Sequence, residues 1–325
     1  MDRYNTHRIL GILVITSFLA ACSTPAVYRP EVNEFNKAAV EVHALLKAKQ
    51  TKVGAVRNSL RTKKLTRTRP VISLSGGCST AIRQYLELKS AVKLANDCDL
   101  KFNSDPDLEQ LFRSASAFEN AVEFSNTVEA YSVALQKVAT SGDKASLQEA
   151  TSQLGDAVVS LAGKAARAAG KQVPDANVFT PITRLIGQGA FYTLENKRAE
   201  ALKKAAKTAH PWIVAGSKAI VGVLYNAEFE IAQAKKDALI KQIDIVNEAR
   251  PKKYVSAVDK AIKQSTELRQ LLKIDPALSI KKLPAVHMKL LEAFKDKKRS
   301  LASSIAASKD LFKAAKAARE ALKAQ

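Results

Sequence analysis

The residues of this 325-residue chain that could do chemistry are three cysteines, four histidines and a few close pairs of carboxylates. His43, His210 and His287 stand alone, none in a His-Glu-x-x-His or Cys-x-x-Cys frame, so no metal site is expected and they read as surface or hydrogen-bonded imidazoles. Asp105 with Asp107, and Glu228 with Glu230, fit helix caps and solvated faces better than acid–base pairs. Ser73-Leu74-Ser75-Gly76-Gly77-Cys78 lacks the Gly-Lys-Ser/Thr ending of a phosphate cradle, and no Gly-x-Ser-x-Gly elbow occurs. A non-enzymatic protein without a bound cofactor is the expectation. That leaves the cysteine thiols, Cys22 first among them, as the side chains most readily alkylated once ionised.

Cys22 closes an unusual segment. An apolar run from Ile9 to Leu19 follows Arg3 and Arg8 and gives way to Leu19-Ala20-Ala21-Cys22. A bilayer span needs ~20 apolar residues, so this run is too short for one; charged, apolar and small regions in that order form a secretory signal. The Leu19–Cys22 tetrad resembles the lipobox of bacterial lipoproteins. The resemblance implies a signal peptide over 1–21, cleavage before Cys22, a diacylglycerol on its sulfur and an acyl chain such as palmitate on its new amino group. Ser23, in place of the Asp that commonly retains such proteins at the inner membrane, implies the outer membrane, facing the periplasm. Residues 22–30 then form a lipidated tether.

Export changes the reading of the other two cysteines. Cys78 and Cys98 become an even pair in an oxidising compartment, and a disulfide between them would close a loop of about twenty residues, worth ~3 kcal/mol in the chain-entropy account. The alternative is a free, reactive Cys78 at the start of a helix expected from Ser79 to about Asn96.

Residues 31–325 must position whatever the protein presents, and their pattern is helical throughout. Val32, Phe35, Ala39, Val42, Leu46, Val53, Val56 and Leu60 recur at three-four spacing, with Lys49 the lone charged intruder. A loop is expected over 61–78, then a helix from Pro106 to Ser141-Gly142 and another through Leu147–Ala168. The same rhythm predicts a helix ending near His210-Pro211, one from Trp212 to about Ala249, one over Tyr254–Leu271, and a last from about Pro284 to the C-terminus. No convincing stretch alternates like a strand. The fold class expected is all-α, an elongated antiparallel helical bundle with coiled-coil-like packing and a possible two-lobe split near 171–180.

Charge is distributed unevenly. The chain carries +21, of which residues 22–70 hold +8, 71–194 hold −2 and 195–325 hold +14. The densest clusters, Lys63, Lys64, Arg67 and Arg69, and Lys295, Lys297, Lys298 and Arg299, are candidates for binding an anionic surface. The partner expected is an envelope protein or anionic polymer rather than nucleic acid. Trp212–Tyr225, apolar but interrupted by Lys218, supports a rival class, a membrane-perturbing or pore-forming protein; Ala215, Ala219 and Gly222 would let helices approach there.

Overall fold

The structure, a computed structural model, describes residues 28–68, 71–74, 100–103, 106–169, 171, 194–295 and 301–323, with side chains described over 28–67, 118–169, 171, 194–295 and 301–323. Among these residues are seven helices: α1 (Arg29–Thr68), α2 (Pro106–Thr140), α3 (Lys144–Ala168), α4 (Leu194–Asn247), α5 (Pro251–Leu272), α6 (Leu278–Lys295) and α7 (Leu301–Lys323). The protein is all-α in its packing. The one departure is a pair of four-residue strands, β1 (Val71–Leu74) and β2 (Leu100–Asn103), antiparallel with Val71 opposite Asn103 and Leu74 opposite Leu100.

The apolar seams meet as their spacing requires. Val32, Phe35, Val42 and Leu46 of α1 are buried, as are Phe124, Val128, Tyr131 and Leu135 of α2. Polar rungs fix the antiparallel register of this pair: Asn36 donates to Gln136 at 3.0 Å, Gln136 to Asn33 at 2.9 Å and Ser132 to Asn36 at 2.8 Å. A capping box turns the chain from α2 into α3, with Ser146 N–H donating to Asp143 Oδ1 at 2.8 Å and Asp143 N–H to Ser146 Oγ at 3.1 Å. That bonding holds the Asp143 carboxyl below its usual range.

Helix α4 is the spine. Its 54 residues extend roughly 80 Å. Arg198 near its start caps α2, its guanidinium donating to Val138 O at 3.1 Å and to Ser141 O, two carbonyls that a helix end leaves unpaired. Phe124 meets Gly216 further along, so α4 runs antiparallel to α2. Helix α3 also opposes α2 and therefore runs alongside α4 in the same direction. Helices α5 and α6 lie end to end down α4: Gln242 pairs with Ala257, Tyr225 with Asp275 and His210 with His287. Helix α7 returns along α6 and packs on α1, where Arg319 holds Glu41 through bonds of 2.5 and 3.1 Å. One continuous apolar core draws on all seven helices, including those on both sides of 171–180, a span whose residues beyond Lys171 lie outside the described ones.

Three boundaries correct the sequence expectation. The loop over 61–78 is replaced by helix as far as Thr68 and by β1: the apolar period ends after Leu60 because the helix leaves the core, not because it stops, and Lys and Arg are good helix formers. The break at His210-Pro211 does not occur. Pro211 is exposed and the carbonyl it leaves unpaired, that of Lys207, lies on the solvent side, while Ala206, Ala209 and Ile213 anchor both flanks in the core. The expected last helix from Pro284 is two helices, with Pro284 inside α6 and a reversal between Lys295 and Leu301. The helix expected over 79–96 lies outside the described residues.

Candidate functional site

The two basic clusters read from the sequence are not one surface. Lys63 and Arg67 are exposed on the last turns of α1, and Lys64 is half-buried there. Lys295 is exposed at the end of α6, beside Phe294, whose ring meets Tyr28 edge-on at 5.4 Å at the other end of α1. The separation along α1 from Tyr28 to Lys63 is about 50 Å at 1.5 Å per residue. Lys295 thus sits at the end where the Cys22 segment joins the body, and Lys63 at the far end. Arg69, Lys297, Lys298, Arg299, Cys22, Cys78 and Cys98 lie outside the described residues.

The isolated histidines are drawn into hydrogen bonds that the linear sequence gives no means of pairing. His43 Nδ1 meets Ser125 Oγ at 2.9 Å; Ser125 already donates to Val122 O, so His43 is the donor. In the core, Tyr131 Oη, His287 Nε2, His287 Nδ1 and His210 Nδ1 form a chain with links of 3.0 and 3.2 Å, and the imidazoles stack at 5.4 Å with 8° between planes. We assign the direction Tyr131 to His287 to His210, because the reverse would leave the buried Tyr131 hydroxyl proton without an acceptor. Burial lowers the pKa of His287 to about 3, with a contribution from His210, and burial lowers that of His210 too. Both rings are neutral near pH 7. Burial likewise pushes the Tyr131 hydroxyl up. This thread binds three helices together around neutral groups, and among the described residues no group of three metal-ligating side chains occurs.

Charges inside the fold are paired across helices. Lys49, the intruder on the α1 seam, is buried and donates to Glu228 Oε2 at 2.5 Å. Arg57 grips Glu230 with both nitrogens, at 2.6 and 3.0 Å. Glu228 is therefore not on a solvated face, a correction to the sequence reading: α1 crosses α4 here and its cations need these carboxylates. Asp105 and the Asp107 side chain lie outside the described residues. A contrasting group is Glu31, buried with both carboxylate oxygens unpartnered; burial raises its pKa to about 7.

Residues 212–225 occupy the middle of α4. One side, Ile213, Gly216, Ser217, Ile220 and Leu224, is buried in the shared core. No described helix is long and apolar enough to cross a membrane. The close approach is made by Gly216, where a Cβ would fall 2.1 Å from the Phe124 ring, whereas Gly222 is exposed with nothing within 4 Å. The sequence showed a group of small residues without saying which one faces a neighbour. Comparison with known proteins finds no matching family model, no similar curated protein and no similar solved structure.

Proposed function

We propose that this chain is a non-enzymatic cell-envelope lipoprotein, a helical scaffold held at the membrane by lipid on Cys22 and presenting basic surfaces to an anionic envelope polymer or a protein partner. The observation that supports the proposal is the packing of Phe294, next to Lys295 at the end of α6, against Tyr28, six residues after Cys22. Lys297, Lys298 and Arg299 follow Lys295 within four residues along the chain. Cations there would meet anionic headgroups beside an anchor that the two or three chains on Cys22 already make durable. The distant cluster at Lys63, Lys64 and Arg67, which Arg69 continues in sequence, stands about 50 Å away and serves as the surface offered outward.

The test is Cys22→Ala in a Gram-negative envelope. The variant is expected to escape lipidation and to leave the membrane fraction; persistence there with processing at the same place would sink the proposal. Photocrosslinkers at Lys63 and Arg67 in intact cells should then capture a polymer or protein that charge reversal at the same cluster removes. Membrane perturbation by 212–225, the rival reading, would require Ile213, Ile220 and Leu224 to leave the core, and leakage of vesicles by the body at any salt concentration would favour it.

A further inference from the structure

One face of α4 is exposed along most of its length and follows an eleven-residue repeat. Lys203, Val214, Tyr225 and Lys236 form one series, and Lys207, Lys218, Phe229 and Ile240 a second, four residues behind; every member is exposed. Eleven residues make three turns at 3.67 per turn, so both series stay on one side of the helix. Ile243 continues the line, which extends about 60 Å from Lys203. Its charged members are Lys203, Lys207, Lys218 and Lys236, without a carboxylate among them. Its apolar members stand well into solvent, with Phe229 64% and Ile240 48% exposed. The acids at its margins are Glu200, one turn before Lys203, and Asp237 and Asp244 beside Ile240, all exposed; Asp275, which accepts from Tyr225, is itself paired with Lys281 at 2.9 Å.

Helix α5 widens this face. It packs on α4 through Ala257 and Leu271 and leaves Tyr254, Val255, Ile262 and Leu272 exposed. In antiparallel helices, residues rotated in the same sense from the line of contact lie on the same side of the pair. Phe229, Ile240 and Ile243 on α4, and Tyr254, Ile262 and Leu272 on α5, are rotated in that one sense. They form a single apolar face that carries Lys236 and Arg269, with Asp244 and Lys273 at its edges. Exposed apolar residues are ordinary one at a time, but a contiguous face of them marks an interaction surface.

The charge of the face selects its occupant. A second copy laid on it would set lysine against lysine along a line some 60 Å long whose carboxylates lie only at its margins. An anionic lipid leaflet satisfies both halves of the chemistry. Phosphates take the lysine heads while their stems lie along the apolar surface, and Phe229, Ile240, Ile243 and Tyr254 enter the headgroup–acyl boundary. We propose that the Lys203–Ile243 strip of α4, with the outer residues of α5, is a peripheral binding surface for an anionic lipid leaflet, along which the body lies. This goes beyond anchoring, because lipid on Cys22 would hold one end of the body and leave its attitude open.

The test uses the full chain with vesicles of phosphatidylcholine and phosphatidylglycerol carrying brominated acyl chains. Phe229→Trp and Ile243→Trp report the face, and Ile245→Trp reports the opposite, equally wet side of the same helix; native Trp212 is the common background. The added fluorescence is expected to be quenched at 229 and 243 but not at 245. Quenching should fall sharply with phosphatidylcholine alone, and binding should weaken about five-fold each for Lys236→Gln and Arg269→Gln, the equivalent of ~1 kcal/mol per charge. Cys22→Ala is expected to keep the contrast between faces, which separates this surface from the anchor. Equal quenching at 243 and 245, or quenching indifferent to anionic lipid, would overturn the proposal. So would a blue shift at 243 that rises with protein concentration in the absence of lipid, the sign of a second copy.

Discussion

Glu31 offers a quantitative test of how this core treats charge. Its carboxylate is fully buried in the first turn of α1, finds no partner on another residue, and has its pKa raised by burial from 4.5 to about 7, its own backbone N–H offsetting only part of the rise. The folded state therefore holds the proton more tightly than the unfolded state does. The stability this contributes is complete below about pH 4.5 and is lost as pH rises through about 7. The interval between those values corresponds to at most about 3 kcal/mol, and water reaching a first helical turn would bring it nearer 2 kcal/mol. Glu31→Gln removes the ionisation and keeps the shape. Urea unfolding, followed by far-ultraviolet circular dichroism from pH 4 to pH 8, should give nearly equal stabilities at the acid end. The variant should be the more stable by about 2–3 kcal/mol at the alkaline end. Taking the difference between the two proteins cancels the pH response of all other groups. A gap that is constant with pH, or widest in acid, would refute the reasoning.

Gly216→Ala should cost about 1–3 kcal/mol, because the fully buried Phe124 ring cannot move away from the new methyl; pairing it with Phe124→Leu should recover much of the loss, whereas Gly222→Ala should stabilise slightly. Lys49→Met alone should destabilise by about 3–5 kcal/mol by stranding Glu228, while the double change Lys49→Met with Glu228→Leu should lie close to the parent, as a double-mutant cycle in urea would show. The β1–β2 ladder ends at Leu74 and Leu100, so the chain leaves and re-enters it with Cys78 four residues out and Cys98 two residues before the return. If the chain is exported as proposed, mass spectrometry of the non-reduced protein should find the two joined, and a quantitatively free Cys78 would favour the reactive-thiol alternative.

How much was legible follows from what periodicity encodes. Val32, Phe35, Val42 and Leu46 announce a helix because every third or fourth side chain must reach the same core, and those residues are buried. Helix ends were less legible. Pro251 begins α5 as its sequence suggests, yet Pro211 and Pro284 sit inside helices. A proline's effect depends on whether the carbonyl it strands faces water and whether packing holds both flanks, and neither is written locally. The candidate surfaces were half legible: the lysines could be counted, but not the 50 Å between Lys63 and Lys295, nor the alignment of lysines with Phe229 and Ile240.

The sequence by itself determined the helical class, the principal seams and the resemblance at Leu19–Cys22, because each is a property of residues close along the chain. Only the tertiary structure decided that His210, His287 and Tyr131 share a hydrogen-bonded thread, that Lys49 needs Glu228, and that Gly216 rather than Gly222 is the point of contact. Those partners are separated by tens to hundreds of residues. Burial makes each pairing obligatory, since a polar group without a partner or a methyl without space is costly only once water has been excluded.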